Sequence, residues 1–334
     1  LRSRDKLPFF ICLCLTTHIL LSTLGCEGER SVSSPPPEPA PVSGLRLRVL
    51  GTAQDGGFPH AACGCVRCAA ARKDRSRERR IASVAILNPA TGQNYLVDAG
   101  PDIRPQLVDL LEQAGGLPDR VDRAAVAGVF LTHAHLGHYT GLAFFGFEAI
   151  HTRGLPVWCS PAMAAFLENN APWDQLVRIG NIELRPSQPW QPVEPDPGVK
   201  VTAVPVPHRD EYADTVGFLI EGPRNTIFYA PDTDSWDRWD PPLPGLLEKV
   251  DIAILDGTFH SLDELPGRRV EEIGHPLMRT TMDLLQSQVD GGKLQVWFTH
   301  MNHSNPVLGP GPEAAEEIAG RGFHVLEDGQ EFPL

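Results

Sequence analysis

Apolar residues along the chain fall into short blocks with two different periods. Blocks that alternate or run continuously for a few residues, bounded by glycine, proline or aspartate, predict strands. They cover 45–50, 83–87, 95–98, 125–131, 156–160, 182–185, 199–206, 216–221, 226–229, 251–255 and 294–298. Blocks with helical spacing cover 103–114, 162–169, 275–286 and 313–319. Many strands with helices interspersed in this order predict an α/β fold, two sheets packed face to face with helices outside, over residues 45–334. No internal repeat interrupts that order.

The first residues follow another pattern. A basic start (Arg2, Arg4, Lys6) precedes an apolar run from Leu7 to Leu24 and then Gly25-Cys26, so residues 1–25 are expected to be a secretory signal peptide. The T-L-G-C ending resembles a bacterial lipoprotein signal, which implies export to the periplasm or cell envelope and a lipid anchor on Cys26. An uncleaved anchor competes, because the run approaches the ~20 apolar residues that span a bilayer. Residues 26–44, rich in Ser and Pro, lack the large apolar groups needed for a core and are expected to act as a tether.

Composition narrows the partners. With 42% hydrophobic and 21% charged residues the 334-residue chain is ordinary globular material. Its 42 acidic against 29 basic residues give a formal net charge of −13, which argues against a nucleic-acid binder and leaves a small-molecule substrate.

Chemistry is densest at V-F-L-T-H-A-H-L-G-H-Y-T-G, residues 129–141, with histidines at i, i+2 and i+5. At the exit of a strand, His133 and His135 project to the same side. Gly137 lets the chain turn, and His138 opens a new element expected at 139–147. Three imidazoles aimed at one volume suit a metal; scattered surface or helix-capping histidines are the competing explanation. The pattern recurs where predicted strands finish at His208, Asp232 and His300. Residues carried on strand ends can meet at one rim, and five histidines with a carboxylate can hold one or two divalent ions. Separately, Cys63-Gly-Cys65-Val-Arg-Cys68 suits a structural zinc held by thiolates, with His303 as the fourth ligand. Disulfides compete in an exported protein. Cys159, in an apolar strand, reads as a buried inert thiol.

H-x-H-x-x-H after a strand, followed by His208, Asp232 and His300, resembles the metallo-β-lactamase superfamily from about Leu45 to Glu327. The resemblance implies the αββα sandwich of that superfamily. It also implies a first metal on His133, His135 and His208, a second on His138 and His300, and Asp232 bridging them. The G-T-A-Q-D-G-G-F-P opening with C-x-C-x-x-C, and the H-M-N-H-S-N-P-V-L ending, are similar to the B proteins of pyrroloquinoline quinone biosynthesis. They are more distantly similar to the cyclic phosphodiesterases of phosphonate breakdown. In those relatives the thiolates and a histidine placed like His303 hold a structural zinc.

Two departures stand out. The superfamily motif is usually H-x-H-x-D-H, and its aspartate position is Gly137 here. The second site is therefore expected to be empty, weak, or completed by Asp55, Asp210 or Asp234, among which the sequence does not choose. The quinone-pathway proteins, conversely, tend to lack the first two motif histidines, which this chain keeps, and an exported protein sits awkwardly with a cytosolic cofactor pathway. The leading expectation is a metallo-hydrolase in which zinc, with manganese or iron as alternatives, activates water against an ester or phosphodiester. His138, His300 and Asp232 carry the catalytic roles, and His275 either faces the same rim or caps a helix. The alternatives are an iron-dependent oxygenase of quinone-cofactor formation and a non-catalytic metal-binding surface lipoprotein.

Overall fold

In most strands both faces are buried, and this decides the architecture. In 83–88 the side chains of Val84 and Ile86 enter one apolar cluster while Ala85 and Leu87 enter another; in 252–256 Ile252 and Ile254 part from Ala253 and Leu255 in the same way. Period-2 alternation between two apolar faces requires a packed layer on each side of the sheet.

The computed structural model describes residues 44–117, 119, 126–269 and 272–334, all within a unit spanning residues 42–334. The signal peptide, Cys26 and nearly all of the tether expected from the sequence lie outside the described residues. The first sheet contains β1 (Arg46–Gly51), β2 (Ser83–Asn88), β3 (Gln93–Val97), β4 (Gly128–Phe130), β5 (Leu155–Cys159) and β6 (Ile182–Pro186). The second contains β7 (Pro192–Asp196), β8 (Val199–Val206), β9 (Thr215–Glu221), β10 (Thr226–Ala230), β11 (Ile252–Asp256), β12 (Gln295–Thr299) and β13 (His324–Val325). The last strand, β14 (Glu331–Pro333), returns to the first sheet beside β1. The two seven-stranded orders are β14-β1-β2-β3-β4-β5-β6 and β13-β12-β11-β10-β9-β8-β7.

Leu47, Val49, Val84, Ile86, Phe130, Phe218, Ile227, Tyr229, Ile252 and Ile254 form the core between the sheets. The helix Ile103–Gln113 and the helix Pro161–Asn169 cover the outside of the first sheet through Ile103, Leu107, Leu110, Met163 and Leu167. The helix Met278–Asp290 and the helix Glu313–Gly320 cover the second through Met278, Met282, Leu285 and Ile318. The result is the expected αββα sandwich. Among the described residues no helix is long and apolar enough to cross a membrane.

Both sheets become parallel toward one side: β3-β4-β5-β6 and β10-β11-β12-β13. Parallel strands place their carboxyl ends on a common rim, where turns carry polar groups without breaking the core. Two predicted elements differ. The element expected at 139–147 begins earlier, as a short helix Leu136–Tyr139 followed by a 3-10 turn Thr140–Phe145. The helix expected from His275 begins at Met278, which leaves His275 in the preceding loop.

Candidate metal centre

Asp232 follows β10 and is the focus of the rim. Its Oδ2 lies 3.3 Å from His133 Nε2, 3.8 Å from His135 Nδ1, 3.8 Å from His138 Nε2 and 3.7 Å from His300 Nε2. Its Oδ1 lies 3.2 Å from His208 Nε2 and 3.3 Å from His275 Nδ1. All six residues named for the centre from the sequence are thus brought together. Three sets of donors able to share an ion overlap there: His133, His135, His208 and Asp232; Asp232, Asp256, His275 and His300; and Asp55, His138 and His300.

Each motif histidine turns one ring nitrogen inward and anchors the other outside the centre. His133 Nδ1 meets Thr132 Oγ1 at 2.9 Å, His138 Nδ1 meets Asp98 at 2.7 Å, and His135 Nε2 meets Glu211 at 3.0 Å. His208 Nδ1 meets Asp234 at 3.3 Å and His300 Nδ1 meets Thr258 Oγ1 at 2.9 Å. Such outer partners fix ring orientation and leave the inner nitrogen free to ligate. The inner Nε2 atoms of His133, His138 and His300, with Asp232 Oδ1, are buried and make no hydrogen bond. Each such group costs about 1–3 kcal/mol when left unsatisfied. Four at one point fit a bound cation, and the donor set, imidazole with carboxylate, is one that zinc, manganese and iron accept.

Electrostatics agree with the geometry. Burial opposes ionisation of Asp232, yet the charges of His300, His275 and His208 hold its carboxyl well below the usual range. Burial likewise opposes protonation of His138 and His275, but Asp98 raises the former to about 9 and Asp256 with Asp232 raises the latter to about 9. Burial, reinforced by the charge of His138, drives His133 well below the usual imidazole value. Buried carboxylates therefore draw positive charge into the centre, as protons or as a cation.

The cysteine cluster forms a separate site. Cys63, Cys65 and Cys68 are free thiols, and their sulfurs gather with His303. His303 Nδ1 lies 3.5 Å from Cys63 Sγ and 3.7 Å from Cys65 Sγ. A tetrahedral zinc with ligands at ~2.0–2.3 Å spaces its donors by about 3.6 Å. Backbone N–H groups of His60, Cys65 and Cys68 donate to the sulfurs of Cys68, Cys63 and Cys65. Without a counter-charge the thiols compete: hydrogen bonds from Cys68, His303 and Cys63 overcome burial and lower Cys65, whereas burial and its Cys65 and Cys63 neighbours push Cys68 up to about 11. Cys159 is buried and inert, its thiol pushed up to about 12 by burial.

The sequence profile of the beta-lactamase superfamily domain matches residues 93–301. Coenzyme PQQ synthesis protein B of Klebsiella pneumoniae is 30% identical over 315 residues, covering 86% of this chain and 98% of that protein. Its counterpart in Azotobacter vinelandii is 28% identical over 322 residues, 87% of this chain and 100% of that one. This chain belongs to the beta-lactamase superfamily, in its PqqB-like branch. Zinc-bound PqqB from Methylobacterium extorquens shares the superfamily fold with a TM-score of 0.72 at 23% identity, covering 86% of this chain and all of that one. A diphosphatase of the PhnP family does so with 0.62 at 21% identity, covering 86% and 96%.

Within this superfamily frame, the departure at Gly137 acquires a neighbour: the Asp55 carboxylate lies beside it, 3.6 Å from His138 Nε2 and 3.8 Å from His300 Nε2. Asp234 instead supports His208 from outside, and Asp210 is exposed. His275 faces the rim rather than capping a helix, since its Nδ1 also meets Asp256 at 2.8 Å. Asp98, Asp256, Glu211, Thr132 and Thr258 are site residues that the sequence reading passed over. The two aspartates carried a usable signal, since each closes an apolar strand, as Y-L-V-D and A-I-L-D, in the manner of the ligands themselves.

Proposed function

We propose that this protein is a PqqB-like metalloenzyme acting on a small molecule during formation of a quinone cofactor, with oxygenation as its reaction and iron as its working ion. The supporting observation is the convergence of hydrogen-bond-free, buried imidazole nitrogens on Asp232 in a chain that matches coenzyme PQQ synthesis protein B over 98–100% of the relatives' length. His133, His135 and His208 with Asp232 would hold one ion, and His138 and His300 with Asp232 would hold another. An iron so held supplies the capacity to reduce dioxygen for insertion into an organic substrate. The chain's own residues do the rest. Asp98, Thr132, Asp234 and Thr258 hold the rings in register, and His275, backed by Asp256, keeps a proton at Nδ1 beside Asp232. Cys63, Cys65, Cys68 and His303 would hold a structural zinc. The basic and apolar leader and Cys26 support an exported, lipid-anchored setting for this activity.

A second reading is metal-assisted hydrolysis of an ester or phosphodiester. It is favoured by Asp232, whose Oδ2 lies between His133 and His135 of the first set and His138 and His300 of the second, so that the residue would serve two ions acting together on attacking and leaving oxygens. Protein loaded anaerobically with Fe2+ and protein loaded with Zn2+ or Mn2+ separate the two. Oxygen uptake stimulated by a panel of phenolic substrates with the iron form, and none with the zinc form, is expected. Turnover of generic phosphodiesters by the zinc or manganese form, without oxygen uptake by the iron form, would replace the first reading by the second.

A further inference from the structure

We propose that Asp55 is the missing carboxylate of the second ion site: it stands where the motif aspartate would reach, and together with His138, His300 and the shared Asp232 it makes a two-histidine, two-carboxylate set. This rests on the metal-centre reading above and adds a ligand and a donor set to it.

Three observations carry it. Asp55 Oδ1 is 3.6 Å from His138 Nε2 and 3.8 Å from His300 Nε2, both below the span that one ion with ligands at ~2.0–2.2 Å on each side can bridge. Those two ring nitrogens are fully buried and make no hydrogen bond, and they face the space between Asp55 Oδ1 and Asp232 Oδ2, the latter 3.8 Å from His138 Nε2 and 3.7 Å from His300 Nε2. Finally, residue 137 must be glycine for this arrangement. A Cβ there would run into Asp55 Oδ1 and come within 3.0 Å of Asp55 Cα, while the Gly137 N–H donates to Asp55 Oδ1 at 3.2 Å. Gly137 is not among the glycines with positive φ, so close approach, and not left-handed backbone, accounts for it. Position 137 has exchanged a side-chain carboxylate for a peptide N–H that holds a carboxylate from another loop.

The loop is fixed for the purpose. Gln54 N–H donates to Met301 O at 3.0 Å and Met301 N–H donates to Thr52 O at 2.9 Å, which locks the segment before Asp55 to the residue after His300. With Asp232 shared from the first ion, the second would have two imidazoles and two carboxylates, a donor set that iron, manganese and zinc accept. Of the outcomes the sequence leaves open at Gly137, an empty site, a weak one, or one completed by Asp55, Asp210 or Asp234, the geometry favours completion by Asp55.

The test titrates Mn2+, an air-stable stand-in for Fe2+, into protein that retains its thiolate zinc. Calorimetry reads affinity and electron paramagnetic resonance reads coupling between neighbouring ions, neither of which depends on turnover. The unaltered chain is expected to take two Mn2+ in the centre and show a coupled signal. Asp55→Asn, which preserves shape, should weaken one ion by roughly tenfold or more and abolish the coupling while leaving the other ion in place. Gly137→Asp alone should clash, and Asp55→Gly with Gly137→Asp should regain the second ion. Two ions of unaltered affinity in Asp55→Asn, or a single ion in the unaltered chain, would overturn the role of Asp55 alone. No ion in the unaltered chain would overturn the centre itself.

Discussion

Asp98 and His300 both adopt left-handed backbone, with φ of 68° and 60°, at the ends of β3 and β12. A non-glycine residue in that region is a strain of order 1–3 kcal/mol that surrounding structure must hold, and such strain gathers at functional sites. Asp98 accepts from the Thr132 N–H, from Thr132 Oγ1 and from His138, all buried. Asp98→Ala should therefore weaken the ion on His138 by roughly 10–100-fold without emptying the thiolate site, as measured by metal titration. The histidines and Asp232 were legible because their chemistry is rare and their spacing specific. Asp98 and Asp256 carried only the weaker signal of an aspartate closing an apolar strand, and only the fold shows which ring each orients. Asp328 gives a residue-scale pH test. Burial, although opposed by hydrogen bonds from Arg80 N–H and Thr52, pushes its carboxyl up to about 6 from an ordinary 3.8. Between those values the unfolded chain has lost a proton that the folded one keeps, so this group's contribution falls as pH rises through the window and is constant above it. The stability of the native chain relative to Asp328→Asn should decline from pH 4 to pH 6 in urea denaturation. A difference that stays flat would contradict the burial of that carboxyl.

At the scale of elements, the strands buried on both faces, such as β2, β8, β10 and β11, were legible as apolar runs, within a residue or two of their ends. The pieces that escaped lack such a pattern. The edge strands β7, β13 and β14 are short or proline-bearing, and the helix Val66–Lys73, V-R-C-A-A-A-R-K, buries only Cys68 and Ala71. That helix is held instead by the thiolate cluster at its start, where the Cys65 side chain accepts from Cys68 N–H. Its order should depend on the ion, because in such sites binding free energy is also folding free energy. A chelator strong enough to strip structural zinc is expected to lower the Tm, and Cys65→Ser should reproduce the loss. An unchanged Tm in both would show that the helix stands on its own packing. Because Thr52 and Gln54 are tied to Met301, two residues before His303, loosening this cluster should also loosen Asp55.

At the scale of the whole molecule, two sheets are brought together so that the ends of β3, β4, β8, β10, β11 and β12 share a rim. No single segment of the sequence contains that centre. The candidate ligands are spread from His133 to His300, and the loop that carries Asp55 lies far from both in sequence. The sandwich gives each polar group a rigid base and keeps the metal chemistry apart from the apolar core, so loss of a ligand should empty a site without unfolding the domain. Metal analysis of the purified native chain beside His208→Ala is the most direct measurement of the central claim. The native chain is predicted to contain the thiolate zinc and at least one further ion, and His208→Ala to stay folded and keep the zinc while losing at least one of the others. Equal metal content in the two proteins would contradict a metal centre built on Asp232 and its ring of histidines.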